Sequence, residues 1–389
     1  MAARRLRVLH LVRWYPHEAD PQIGYFLQKQ IRAVCAHTEG TVIFVWPVRG
    51  QAAPEKSVHT EANLKEIRIT YPARNFAPAN MLTLMKLMWK AALEEHKAAP
   101  FDLIHAHILT RVGVVAEWLG RHFGVPYLIS EHWSRYYPEN DGFHGFWRMH
   151  FTAKVIGRAA ALTTVSERLK NAMELRGLRH PFTRTVPTLV DTSVFRPSGE
   201  EKTGPLRWIS ISCFEERPKN LFGLIRAAAV LREEGVRFTL VFVGDGPDRR
   251  TVEAAAEAAG LSDCTRFTGM ITQEEVAAEL TRADYLVQPS RYETFGTPII
   301  EAWACGVPVI STRTGVFAEV DSEPLGITVA SEEVADIAAA LRESISLRGS
   351  FSAATLREIA ETRYGTAAVG KQLFDLYSEV SARAGNRRV

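Results

Sequence analysis

The sequence predicts an α/β protein built from two doubly wound parallel-sheet domains, and three features carry that expectation. Short apolar runs of strand length alternate with stretches of helical spacing along the whole chain, the order that parallel sheets with crossover helices require. At 389 residues the chain exceeds the size at which a single hydrophobic core stops growing. Several of the apolar runs also end in polar loops with Gly or Pro, the punctuation of strand-to-helix connections.

Charge is balanced overall, with 47 Lys and Arg against 44 Asp and Glu, but it is unevenly spread. Residues 1–200 carry 26 basic against 17 acidic residues and the remainder 21 against 27, so the halves stand at +9 and −6. All 12 histidines also fall in the first half. Two halves attracting each other explain this, and so does an anionic acceptor or membrane surface on the first half. No nucleic-acid partner is expected. Cys35, Cys213, Cys264 and Cys305 form no metal-ligand spacing and read as buried free thiols. The run Val8 to Val12 is too short for a signal peptide, and no apolar run approaches the roughly 20 residues of a membrane span. A cytoplasmic protein is expected, with peripheral contact at the inner face of the plasma membrane left open.

Taken in order, Arg7 to Val12 reads as a buried strand, broken at Trp14-Tyr15-Pro16 before a loop ending at Gly24. A helix follows from Tyr25 to about Ala36. One glycine between strand and helix is weaker than a GxGxxG fingerprint, so Gly24 is a candidate for a nucleotide-binding turn whose alternative is a plain turn into the helix. Thr41 to Pro47 and Leu64 to Tyr71 are strands around a polar loop. Asn80 to Lys97 sets Met81, Leu84, Met85, Met88, Trp89 and Ala92 on one helical face, which either covers a sheet or lies on a membrane. After a strand ending in His105-Ala106-His107 and a helix from Arg111 to Phe123, the strand Tyr127 to Ser130 delivers Glu131-His132-Trp133. Open α/β sheets place their ligand crevice at such carboxyl ends, which makes His132 a candidate, with a packing role as its alternative. Tyr136 to Trp147 reads as an aromatic loop able to stack on sugars, and helix resumes near Phe151. Leu162 to Ser166 is a strand, and the first half closes near residue 198.

The second half opens with a strand from Trp208 to Ser212 and the loop FEERPKN, which carries Arg217 and Lys219. Exposed charge is the alternative reading of both. A helix from Asn220 to Glu234, a strand from Phe238 to Val243 with the turn GDGP, and a strand from Thr265 to Gly269 lead to Met270 and Ile271. Tyr285 to Gln288 is a buried strand that breaks at Pro289 into a loop with Glu293 and Gly296. Thr297 suits a helix cap and Pro298 a first turn, while Gly306 and Pro308 end the helix. Free amides at Phe295, Gly296 and Thr297 make a phosphate seat through their N–H groups and the helix dipole. Glu293 and Glu301 bracket it, and carboxylates there suit sugar or ribose hydroxyls. Ser331 to Ser346 and Tyr364 to Ala382 are the last helices.

The segment PSRYETFGTPIIEAWACGVPVIS, with Glu293 and Glu301 in it, resembles the Glu-x7-Glu motif of the retaining, nucleotide-sugar-dependent glycosyltransferases of family 4. The resemblance extends over nearly the whole chain, through SEHWS, DTSVFRP, GDGP and GVFAEV. It implies the GT-B fold, two Rossmann-like domains facing across a cleft: residues 1–197 on the acceptor side, 198–365 binding the nucleotide sugar, and 366–389 a helix crossing back. It also implies that Glu293 faces the transferred sugar, Glu301 holds the ribose, His132 lies near the reacting sugar, and Gly24 lets amides approach the donor phosphates. Lys219 would neutralise the leaving diphosphate, and Met270 and Ile271 would touch the base. The sequence departs from the family where an arginine should precede the lysine by five residues. Phe214 stands there, or Cys213 if a gap is allowed, and Arg217 is the substitute.

The expected activity is therefore transfer of a sugar from a nucleotide-diphosphate sugar to a glycan, lipid-linked or small-molecule acceptor, with retention. The nucleotide sugar is a co-substrate, no cofactor is expected, and without a DxD motif no metal is expected. A nucleotide-sugar epimerase of the same fold and a binding protein that has lost catalysis are the alternatives.

Overall fold

Strand pairing in the computed structural model, which describes residues 4–109, 111–140, 142–199, 202–320 and 324–386, forms two sheets of eight and six strands. They belong to two units, Met1–Thr188 with Ala367–Val389, and Leu189–Thr366.

Unit 1 contains β1 (Arg7–Val12), α1 (Tyr25–Cys35), β2 (Glu39–Val48), β3 (Glu55–Glu61), β4 (Leu64–Pro72), α2 (Ala77–Ala98) and β5 (Leu103–His107). It continues with α3 (Val112–Phe123), β6 (Tyr127–Glu131), α4 (Phe146–Arg158), β7 (Ala161–Thr164), α5 (Glu167–Leu175) and β8 (Thr183–Thr185). The sheet order is β3-β4-β2-β1-β5-β6-β7-β8, and every pairing but one is parallel. Val8, Leu9, Leu11 and Val12 have no more than 1% exposure, because a parallel strand covered on both faces has no polar side.

The exception is β3, which pairs antiparallel with β4 where a polar loop was expected. All seven of its residues are exposed, so no alternation of polar and apolar residues marks it, and its charges protect a sheet edge. The stripe on α2 resolves toward the core. Leu84, Met88 and Ala92 are buried and α2 packs on β2, so this face covers the sheet and is not presented to a membrane. The aromatic segment after β6 also differs from expectation. Tyr136, Tyr137 and Phe143 are core residues of 2% exposure or less, and Phe146 and Trp147 form the first turn of α4.

Unit 2 contains β9 (Leu206–Ile211), α6 (Glu216–Lys219), α7 (Leu221–Glu233), β10 (Phe238–Val243), α8 (Arg249–Ala258), β11 (Thr265–Phe267) and α9 (Gln273–Arg282). Then come β12 (Tyr285–Gln288), α10 (Thr297–Ala304), β13 (Val309–Thr312), β14 (Gly326–Val329), α11 (Val334–Ser346) and α12 (Ala353–Tyr364). The chain ends in α13 (Thr366–Asn386), most of which belongs to unit 1. All pairings in this sheet are parallel, in the order β11-β10-β9-β12-β13-β14. Leu221, Leu224, Ile225 and Leu231 of α7 are buried against Trp208 and Leu240, each contributing about 1.5–3 kcal/mol.

This order fixes where a ligand can bind. After β9 the chain winds outward through β10 and β11, then returns to the other side of β9 as β12. The loops after β9 and β12 therefore diverge at a topological switch point and leave a crevice at the carboxyl edge. They carry Lys219 and Glu293.

Candidate active site

Arg291 ties these two loops together. Its main-chain N–H donates to the Pro218 carbonyl at 2.8 Å, and its Nη1 to the carbonyls of Glu216 at 2.9 Å and Arg217 at 3.0 Å. Nη2 donates to Asn220 Oδ1 at 2.7 Å. The planar fork of an arginine suits this task, since it spans several acceptors without losing its geometry. Held this way, Lys219 Nζ lies 2.5 Å from Glu293 Oε1, with the side chains 14% and 11% exposed. The reading of Lys219 as an ordinary exposed charge does not hold. Ser290 Oγ, fully buried, also donates to Glu293 Oε1 at 2.9 Å. Burial disfavours the Lys219 ammonium, but the adjacent Glu293 carboxylate outweighs it and leaves the pKa above the usual lysine value.

Beyond Glu293 the loop turns into α10. Gly296 holds the cap position at φ +87°, a left-handed conformation that favours glycine, and Thr297, expected as the cap, is the first helical residue. Among the described residues no side chain caps this end, and its first turn has no acid, so its amides and dipole face the loop. Phe295 turns its ring into the core against Tyr364, 5.9 Å between centroids, and its carbonyl accepts from Val316 N at 2.7 Å. Glu301, 6% exposed, lies one turn inside α10. Met270, 54% exposed, and Ile271 occupy the turn after β11, two strands from β9 at the same sheet edge. Gly244 N donates to the Gly269 carbonyl at 3.1 Å and joins this turn to the one after β10.

The structure also locates the departures in the loop after β9. Phe214 is 1% exposed, its ring among Phe242 and Phe267, so the expected arginine position belongs to the core. Arg217 is exposed on α6. Cys213 is exposed as well, contrary to the expectation of four buried thiols, whereas Cys35, Cys264 and Cys305 are buried.

In unit 1, Gly24 caps α1 at φ +68°, and a Cβ there would fall 2.5 Å from the Trp14 carbonyl carbon and oxygen. Close approach of the β1 loop is enough to require glycine. The next helical turn places Phe26 5.0 Å from the His132 ring, and Trp14 meets Trp133 at 5.0 Å, so the loops after β1 and β6 come together. His132 is 7% exposed, and among the described residues neither ring nitrogen has a hydrogen-bond partner. Burial lowers its pKa to about 3, which keeps a neutral imidazole able to donate from one nitrogen and accept at the other.

Two features were not assigned a role from sequence. Glu131, fully buried, organises the His132 loop: Oε1 accepts from the main-chain N–H of His132 at 2.9 Å and Trp133 at 3.0 Å, and Oε2 from Leu109 N at 3.2 Å and Tyr136 Oη at 3.0 Å. Burial raises its pKa, and these donors oppose the rise. An acid ending an apolar strand is the signal that marks it. The second feature is a buried cluster of His10, His105 and His107 on adjacent β1 and β5. Nδ1 of His10 and Nε2 of His107 are 3.2 Å apart, and His105 lies between Tyr377 Oη and Ser130 Oγ, each at 2.6 Å. Their ligating nitrogens lie within 4.8 Å of one another, a span suited to one ion, yet both nitrogens of His105 are already taken by hydroxyls.

Comparison with known proteins identifies the family and the fold. The family profile described as Glycosyl transferases group 1 matches residues 191–362, and that of Glycosyltransferase Family 4 matches residues 36–194. A 2-deoxystreptamine glucosyltransferase of Streptomyces kanamyceticus is 30% identical over 274 residues, 61% of this chain and 67% of that one. A D-inositol 3-phosphate glycosyltransferase of Saccharomonospora viridis is 28% identical over 312 residues, 72% of this chain and 71% of that one. Among solved structures, a sucrose-phosphate synthase of Thermosynechococcus elongatus superposes with a TM-score of 0.79 at 20% identity, covering 97% of this chain and 100% of that one. Anabaena HepE in complex with UDP and glucose superposes at 0.74 with 17% identity, covering 96% and 99%. With the switch-point site of unit 2, these matches establish that the chain belongs to the family 4 glycosyltransferases and has the GT-B fold.

Proposed function

We propose that the protein transfers a sugar from a nucleoside-diphosphate sugar to a hydroxyl of a glycan, lipid-linked or small-molecule acceptor, with retention and without a metal ion. The observation that carries the reading is the buried Lys219–Glu293 pair beside the uncapped end of α10. A diphosphate at this end meets the helix amides and the Lys219 ammonium, whose field grows in value as negative charge develops on the leaving group. Donor binding then exchanges one anionic partner of Lys219 for another and frees the Glu293 carboxylate for a sugar hydroxyl. Glu301 receives the ribose hydroxyls, and the Met270–Ile271 turn supplies apolar contact to the base. The neutral imidazole of His132 suits a sugar hydroxyl. HepE, solved with UDP and glucose, supports a nucleotide-sugar donor, and the relatives named for 2-deoxystreptamine and D-inositol 3-phosphate extend the acceptor range to small polar molecules. Resemblance to the retaining family supports retention.

Calorimetric titration with UDP, ADP and GDP, followed by NMR of the anomeric proton in the product with chelator present, tests this. Binding of one nucleotide, and transfer with the donor's anomeric configuration, is the expected result. An inverted product, or activity lost to the chelator, refutes the corresponding part.

A further inference from the structure

The face of α4 that the fold leaves in water has a composition that neither the core nor the donor site explains. Phe146, Trp147 and Phe151 are 75%, 69% and 53% exposed, which leaves on the order of 400 Å2 of aromatic surface in solvent. Their positions, with His150, repeat at helical spacing along one side. The rings lean on one another, with centroids 5.4 Å apart for Phe146 and Trp147 and 6.2 Å for Trp147 and Phe151. The opposite side holds the buried Val155 and Ile156. Among the described residues, the helix is thus anchored by one side and exposed on the other. Isolated exposed aromatics are ordinary, but a contiguous patch of this size marks a contact surface.

Charge identifies what the contact is. From Gly142 to Arg158 the chain has Arg148, Lys154 and Arg158 and no acid. Among the described residues, Glu117 is paired with Arg158 and Glu139 with Arg168. Arg148 and Lys154 are exposed on the same helix, Lys154 on the side of the rings and Arg148 at its border, where Nη1 also donates to the Gly142 carbonyl at 3.4 Å. Rings that pack against one another offer few free faces for a sugar to stack on. Aromatic rings flanked by cations suit a lipid–water interface, where the rings sit at headgroup depth and the cations meet anionic headgroups.

We propose that α4 docks unit 1 on an anionic bilayer surface through Phe146, Trp147 and Phe151, with Arg148 and Lys154 supplying the charge preference. Docking needs neither donor nor transfer, so it stands or falls separately from the catalytic reading. The test is flotation of the full chain, without nucleotide, on phosphatidylcholine vesicles with or without about 30 mol% phosphatidylglycerol. Wild type is expected to float with the anionic vesicles at about 0.05 M salt and to dissociate progressively toward about 0.5 M. Phe146→Ser/Trp147→Ser/Phe151→Ser is expected to lower binding about tenfold or more. The second variant, Arg148→Glu/Lys154→Glu, keeps the rings and is expected to lose the preference for the anionic vesicles. Both alter exposed residues, and unchanged melting curves establish that they fold. Absence of wild-type binding, equal binding by the folded triple variant, or a concentration-dependent dimer that the triple variant abolishes overturns the proposal, as does capture by soluble oligosaccharide in place of vesicles.

Discussion

Breaking the Lys219–Glu293 pair from one side exposes how much of unit 2 depends on its candidate site. In Lys219→Met, Glu293 keeps only Ser290 Oγ of the partners that now bond its Oε1, inside a site where its side chain is 11% exposed. Unit charges about 4 Å apart attract by about 4 kcal/mol at an effective dielectric near 20, and removing one member of a buried pair typically costs about 3–5 kcal/mol. Ser290 and the partial opening of the site place the expected loss near the lower end, about 3 kcal/mol. For a unit of this size that corresponds to a fall in Tm of about 6–12 °C. Glu293→Gln is expected to cost somewhat less, because the amide oxygen still accepts from Lys219. The double variant Lys219→Met/Glu293→Gln is expected to recover about 2 kcal/mol relative to the sum. Scanning calorimetry of the four proteins, which separates the two units if they melt apart, measures the cycle. Additivity within about 0.5 kcal/mol means the contact carries no coupling, and the assignment of the pair fails with it.

The two glutamates of the motif are expected to separate kinetically. Glu301→Gln should weaken donor affinity by calorimetry and Glu293→Gln should lower the single-turnover rate, each by about 10–100-fold, because in the proposed reading only the second faces the centre where charge changes. The reverse assignment of effects reverses the roles. Arg291→Lys keeps the charge but loses the fork that joins Glu216, Arg217 and Asn220, so kcat is expected to fall about tenfold with a modest rise in KM. Unchanged kcat shows that Lys219 is positioned by other contacts. Acid is expected to destabilise unit 1: His10 and His132 are held near 3, and His105 and His107 well below the ordinary value, by burial. The unfolded chain then binds the extra protons, so His10 and His132 each remove about 2 kcal/mol of stability between about pH 7 and about pH 5, and His105 and His107 act in the same direction. His10→Asn should flatten the pH dependence of urea unfolding, and an unchanged slope refutes the linkage.

Much of this site was legible because its chemistry is local in sequence. Strand β12, the break at Pro289 and the Gly306 stop define α10 within one short stretch, so Glu293, Gly296 and Glu301 could be placed before any tertiary information. The His132 position followed from a strand end in the same way. What resisted prediction depends on partners distant in sequence. Nothing near Lys219 announces that Glu293 will cover it, or that Arg291 will hold its turn. β3 was illegible because an exposed edge strand has no buried face and therefore no period, and the boundary of α4 was misjudged because its first turn is aromatic and solvated. The stripe on α2 was legible as a stripe, but its covering by β2 was not.

The loop after β9 shows why a family cation can be absent while the site stays organised. Phe214 adopts φ +46°, a conformation that costs a bulky residue about 1–3 kcal/mol, and it does so with its ring buried beside Phe242 and Phe267. A guanidinium in that place would be buried among aromatic rings. The strain is held from the neighbouring turn after β10, where Asp248 N donates to the Phe214 carbonyl at 3.0 Å and Asp248 Oδ2 accepts from Glu216 N at 2.8 Å. A Cβ on Gly246 would lie 1.7 Å from the Cys213 carbonyl oxygen, so the two turns pack main chain to main chain. Strand β10 thus fixes the start of the loop, Arg291 fixes its end, and Lys219 emerges at Glu293 with little freedom to move. On the proposed reading, geometry of this kind lets one cation serve where the family uses two, since a preorganised ammonium loses less on meeting a diphosphate than two mobile side chains would.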